Sequence, residues 1–154
     1  MKAWKSLIVF LIVVFAVALI GATAKPDAWY AGLQKPAFNP PNWLFAPVWT
    51  ILYIAMAIAA WRVYVRRGFD ASLALWSLQL ALNAAWSPLF FDLHAIPLAL
   101  VDIALLLLAV AATAWLFFRR NRVAGGLMLP YAAWVALATL LTYSIWRLNP
   151  NGAA

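Results

Sequence analysis

The sequence predicts an all-α membrane protein: a bundle of five transmembrane helices with a Pro- and aromatic-rich loop between the first and second. Three observations carry this. Of 154 residues, 68% are hydrophobic and 10% charged, against roughly half apolar and a quarter charged in soluble domains. So much apolar surface cannot be hidden inside about 150 residues, so the solvent must itself be apolar. The apolar residues also fall into five stretches, Leu7–Ala24, Leu44–Trp61, Leu73–Phe91, Ile96–Phe118 and Val123–Ile145, with the charges other than Asp102 collected outside them.

Each stretch has about the 20 residues that cross the hydrocarbon core as a helix. The expected helices cover about 5–24, 44–66, 72–92, 95–118 and 123–147, in one domain over 1–154. The first carries Lys2 and Lys5 ahead of it and Ala22-Thr23-Ala24 at its end, which also describes a cleavable signal. Its length and the absence of a soluble-domain start after it favour a retained span. The connection at 25–43 contains Pro26, Pro36, Pro40 and Pro41 among Trp29, Tyr30, Phe38 and Trp43. Proline fixes φ and removes a donor, so this is a stiffened loop, expected to lie over the bundle as a lid. The remaining connections are short and make neighbouring helices antiparallel.

Basic residues orient the bundle. Lys2, Lys5, Arg62, Arg66, Arg67, Arg119, Arg120 and Arg122 fall on one side, and Lys25, Lys35 and Arg147 on the other. The positive-inside rule gives a cytoplasmic N-terminus and an extracytoplasmic first loop. The net charge of +7 would suggest nucleic acid in a soluble protein, but here it is a topology signal, and no nucleic-acid partner is expected. Trp4, Trp43, Trp61, Tyr64, Trp115 and Trp146 lie near span ends, as interfacial aromatic belts do.

Polar and bulky residues inside spans mark the bundle interior. Trp49 and Tyr53 share one face of the second helix. Gln79, Asn83, Trp86 and Phe90 form a stripe on the third with Ser87 beside it, and Tyr131, Trp134 and Ala138 one on the fifth. Depth brings the stripes together beneath the Pro-rich loop, where aromatics, one amide and a small residue suit a flat, mostly apolar ligand.

Other chemistry is thinly supplied. The chain has no Cys and one His, so no metal site is expected, and an axial haem role for His94 would need its loop to fold inward. Asp102 stands alone within the fourth span, without a second carboxylate to make an acid/base pair. Ser77, Ala81 and Ala85 make a small-xxx-small row, expected as a dimer face or an internal packing face. Leu141, Tyr143 and Arg147 fit the hypothesis-grade cholesterol pattern.

The ordered motifs are familiar. Trp29-Tyr30, Lys35-Pro36-x-Phe38-x-Pro40-Pro41-x-Trp43, Trp49 with Leu52-Tyr53, Leu82-Asn83-x-x-Trp86-Ser87, Pro130-Tyr131-x-x-Trp134, Ala138-Thr139 and Trp146-Arg147-x-Asn149 together resemble the TspO family, also called the translocator protein or peripheral-type benzodiazepine receptor family. The resemblance implies a five-helix bundle, usually a homodimer, that binds porphyrins and in some members cholesterol or synthetic aromatic ligands. Some members are reported to break down protoporphyrin IX in light. By motif it implies ligand-binding positions at Tyr30, Pro41, Trp49, Tyr53, Asn83, Trp86, Ser87, Trp134 and Ala138; of these, Trp49 and Trp134, oxidisable indoles well inside the bundle, are the candidates should photochemistry occur.

Two departures bear on the ligand. Phe38 stands where many members have Trp, and Thr142 where many have Asn just before the Tyr of the cholesterol pattern. With a bacterial origin expected, porphyrin ranks ahead of cholesterol. The expected role is sensing, moving or disposing of a porphyrin ligand with no obligatory cofactor. A light-dependent porphyrin-degrading enzyme and a carrier of sterols or other apolar ligands remain the alternatives.

Overall fold

A computed structural model describes residues 2–24 and 26–150. Lys25, the first residue of the expected lid and one of the loop-side basic residues, lies outside the described residues. Six α-helices are described: α1 (Ala3–Thr23), α2 (Ala28–Ala31), α3 (Asn42–Arg67), α4 (Ala71–Ser87), α5 (Ile96–Arg120) and α6 (Arg122–Leu148). Four of them, α1, α3, α5 and α6, are long and apolar enough to cross a membrane. At 17 residues α4 is shorter, and it runs directly into a π turn over Pro88–Asp92. The loop between α1 and α3 is not wholly irregular: α2 is a single helical turn within it, capped by Asp27, whose Oδ1 accepts the Tyr30 N–H at 3.3 Å.

The starts and stops have local causes. Pro41 is extended, with ψ of 146°, and α3 begins at the next residue. At its far end Gly68 takes φ +67° while its N–H donates to the Tyr64 carbonyl at 2.7 Å, a C-terminal position where a side chain would be strained. Asp70 caps α4 through the Ser72 and Leu73 N–H groups at 3.0 and 3.2 Å. Asn121 caps α6 by accepting from the Ala124 N–H at 3.0 Å. Pro88 cannot donate, so the α-helical register ends there, and the Leu93 N–H reaches back five residues to the Pro88 carbonyl at 3.0 Å.

The helices close a ring. α1 packs on α3 and α4, α3 on α6, α6 on α5, and α5 on α4. The outer surface differs from that of a soluble bundle: Leu19, Ile51, Leu98 and Leu108 are each at least 60% exposed, whereas Ser72, Gln79 and Thr113 are fully buried within a mainly apolar core. Large aliphatic side chains on the outer surface and polar ones within suit an apolar solvent, and the several apolar helices are consistent with an integral membrane protein. On α4, Ser77 and Ala81 are exposed and Ala85 half-buried, so most of the small-residue row faces outward. One end of the ring carries the first loop and the π turn. The other carries the arginines that end α3 and α5 and begin α6.

Candidate ligand-binding site

The predicted stripes meet inside the ring. Trp49 from α3 lies 5.4 Å from Tyr53, 6.1 Å from Tyr131 and 6.5 Å from Trp134, ring centre to ring centre. The last two contacts, with α6, are edge-to-face, the arrangement the ring quadrupole favours. Phe45, one turn before Trp49, meets Trp134 at 5.7 Å. Ala138 is half-buried one turn beyond Trp134 and packs on the same core. Trp49 and Trp134 are themselves half-buried.

A buried chain of hydrogen bonds ties these rings together. Tyr53 Oη donates to Asn83 Oδ1 at 2.8 Å, Asn83 Nδ2 donates to Tyr131 Oη at 2.7 Å, and Tyr131 Oη donates to Gln79 Oε1 at 2.8 Å. It runs from α3 to α4 to α6 and back to α4. Breaking it would leave a buried polar group unsatisfied, at a cost of about 1–3 kcal/mol. Both functional atoms of the Asn83 amide are therefore engaged, holding Tyr53 and Tyr131. Periodicity had placed Gln79 and Tyr131 on the right stripes; their joining into one network depends on distances between helices.

A second aromatic group seats the loop. Trp86 stacks on Phe90 at 5.0 Å and meets Phe91 edge-on at 5.7 Å. Tyr30, 8% exposed, lies 6.1 Å from Phe90 and 5.3 Å from Phe91. Trp29 touches Phe90 at 5.6 Å and stacks flat on His94 at 3.9 Å. His94 takes φ +52° just after the π turn, and its Nε2 is 4.0 Å from Asp27 Oδ2. Burial pushes the Tyr30 hydroxyl above its ordinary pKa, and a hydrogen bond with Asn39 partly offsets this. Lys35 Nζ sits over the Tyr30 ring at 4.4 Å.

The loop is also clasped from α6. The Gln34 N–H donates to Asn149 Oδ1 at 3.0 Å, and Asn149 Nδ2 donates to the Gln34 carbonyl at 2.9 Å. Phe91, His94 and this clasp were not among the predicted site residues. Asn149 belongs to the Trp146-Arg147-x-Asn149 motif, which gave no hint of its partner.

The other predicted residues are more dispersed. Pro41 and Tyr30 line an open cleft of about 650 Å³ within the loop, with Asp27, Lys35 and Pro40. Ser87 turns towards α1, since a Cβ on Gly21 would lie 3.8 Å from its Oγ. Of the cholesterol pattern, Leu141 is buried, whereas Tyr143 and Arg147 are exposed. Asp102 is 8% exposed, and its Oδ2, like the Trp86 and Trp76 indole nitrogens, is buried without a hydrogen-bond partner. Among the described residues no group of three or more His, Asp or Glu converges on one point.

The family described as TspO/MBR matches residues 7–147. A tryptophan-rich sensory protein of Cereibacter sphaeroides is 43% identical over 148 residues, covering 96% of this chain and 94% of the relative. Protein CrtK of Rhodobacter capsulatus is 41% identical over 153 residues, 95% of this chain and 96% of the relative. The translocator protein of Homo sapiens is 43% identical over 126 residues, 79% of this chain and 75% of the relative. By the extent of these matches, the chain belongs to the TspO/MBR family.

Proposed function

We propose that this protein is a five-span membrane receptor or translocator that binds a porphyrin at the loop end of the bundle, α4 and its π turn together making the fifth crossing. The observation that carries this reading is the gathering of Trp49, Tyr53, Tyr131 and Trp134 beneath a loop tied down by Asn149 and seated on Phe90 and Phe91. Flat aromatic faces with few polar groups suit a macrocycle that is itself flat and largely apolar. Polar recognition falls to the Trp86 indole N–H and Asp102 Oδ2, the buried unpartnered atoms on the loop half of α4 and α5. Relatives named for sensing and translocation support a role that begins with binding. A sterol reading has less behind it, because Leu141 on one side and Tyr143 with Arg147 on the other do not present one surface.

Photochemical degradation is the rival. Trp49 and Trp134 lie in edge contact within the proposed site, and an indole can donate an electron to an excited macrocycle. Titration of the purified protein with protoporphyrin IX, in darkness and under illumination, tests both readings. Stacking contributes about 0.5–1.5 kcal/mol per aromatic pair beyond burial, and Phe keeps most of it, so Trp49→Phe and Trp134→Phe are expected to lose only severalfold in dark affinity. Equal bleaching of wild type and both variants at matched occupancy is expected of a binder. A defined photoproduct that either variant abolishes while still holding ligand would make the protein an enzyme, and absence of saturable binding in the dark would end the porphyrin reading.

The same proposal puts the N-terminus in the cytoplasm and the loop end outside it. In this cysteine-free chain, Gln34→Cys is expected to react with an impermeant thiol reagent in intact cells, and Gly68→Cys only after permeabilisation. The reverse pattern would invert the bundle.

A further inference from the structure

The arginine end of the bundle is more than a row of topology signals. Arg62 and Arg66 from α3, Arg119 and Arg120 from the end of α5, and Arg122 at the start of α6 line one open cleft of about 370 Å³, with Asn121 in it. Two of the five guanidinium groups hydrogen-bond polar side chains of the frame. Arg120 Nε bonds Asp70 Oδ2 at 2.6 Å, and Arg62 Nε donates to Asn121 Oδ1 at 3.3 Å. Asn121 is buried and holds the first turn of α6 at the same time. Asp70 is thus already paired, and no carboxylate among the described residues lines the cleft to neutralise Arg66, Arg119 and Arg122. Three helices therefore bring unneutralised guanidinium groups around a common space, on a frame fixed by the other two arginines.

The remaining lining residues are Phe118 and Val123, 39% and 52% exposed. Both continue the outward apolar surface, and Trp115, 59% exposed, lies one turn from Arg119 with that guanidinium 5.0 Å above its ring. The cleft is basic inside and apolar at its rim.

We infer that this cleft is a binding site for the phosphate headgroup of an anionic phospholipid, its acyl chains running along Phe118 and Val123. Guanidinium groups match phosphate oxygens in paired hydrogen bonds, and basic pockets between helices at a membrane face are suited to such headgroups. The apolar rim separates a lipid from free phosphate, which would need only the arginines.

The test is native mass spectrometry of the full chain in neutral detergent, titrated with dioleoyl phosphatidylglycerol, dioleoyl phosphatidylcholine or inorganic phosphate. One retained phosphatidylglycerol per chain is expected, with no comparable phosphatidylcholine adduct. Arg66→Gln and Arg122→Gln should each weaken it about fivefold, from the ~1 kcal/mol per surface basic residue. Arg67→Gln, one residue from Arg66 but outside the cleft lining, should leave it within twofold. An Arg67→Gln loss equal to that of Arg66→Gln would show a diffuse basic field and overturn the site. Inorganic phosphate that displaces the lipid at equal concentration would overturn the lipid assignment. Unchanged helical content in each variant shows that the fold is not what was lost.

Discussion

The two ends of this bundle are built to different rules. At the arginine end one carboxylate and one amide tie helix starts to neighbouring helices and the backbones lie close, while Arg66, Arg119 and Arg122 stand without a carboxylate partner. Asp70 serves Ser72, Leu73 and Arg120, Asn121 serves Ala124 and Arg62, and Gly125 lets α6 lie directly against Phe118 of α5. At the loop end α3 carries Pro47 within its second turn, the α-helical register of α4 ends at Pro88, and His94 takes a positive φ. Two buried polar atoms there, on Trp86 and Asp102, have no partner, and the packing is dominated by aromatic rings. Pairing and close approach give stability, while interrupted backbone and unmatched polar atoms are the features of a site that something else completes.

That contrast predicts that substitutions at the two ends separate stability from binding. The largest effect is expected at Gly125. A Cβ there would collide with the Phe118 ring and stand 2.8 Å from Phe118 Cα, so backbone as well as side chain must move. Gly125→Ala is expected to cost about 1–3 kcal/mol, read as a lower melting temperature in detergent. Porphyrin affinity below the transition should be unchanged, and an equal loss of affinity would break the division between the ends.

Ala138→Thr makes the opposite prediction at the loop end. It adds volume and a hydroxyl beside Trp134, and overpacking of about 1–3 kcal/mol corresponds to up to about a hundredfold in porphyrin affinity. The melting temperature of the unliganded protein should fall much less, because the side chain is only half-buried. Equal affinities for the two proteins would place Ala138 outside the site.

The smallest effect is a pH dependence belonging to the arginine end. Burial raises the Asp70 carboxyl, but hydrogen bonds from Ser72, Arg120 and the Leu73 N–H, with the Arg120 charge, outweigh this and hold it at about 2 against an ordinary 3.8. A depressed folded pKa contributes stability that is complete above the unfolded value and lost as pH falls through the folded one. The melting temperature should therefore drop between about pH 4 and pH 2. Arg120→Gln should melt lower at neutral pH and fall less steeply across that window. An identical slope in both proteins would remove Asp70 from the stability of this end.

The sequence by itself determined the long helical segments and which residues could face inward, but not the helical turn α2 inside the loop nor the π turn that ends the third stretch. Apolar length marked the four helices long enough to cross a membrane, and the starts and stops that the structure shows at Gly68, Asp70 and Asn121 rest on local chemistry that needs no tertiary contact. Helical period alone put Trp49 with Tyr53, Asn83 with Trp86, and Tyr131 with Trp134 and Ala138. The tertiary structure decided what those stripes do when they meet. That the Asn83 amide is engaged by two tyrosines, that Asn149 clasps Gln34 across the chain, and that a π turn aims Phe90 and Phe91 at Tyr30 all depend on distances between helices. Periodicity fixes the angle of a side chain around its own axis; it says nothing of how far a neighbouring axis lies or at what height, and hydrogen bonds and ring contacts depend on both.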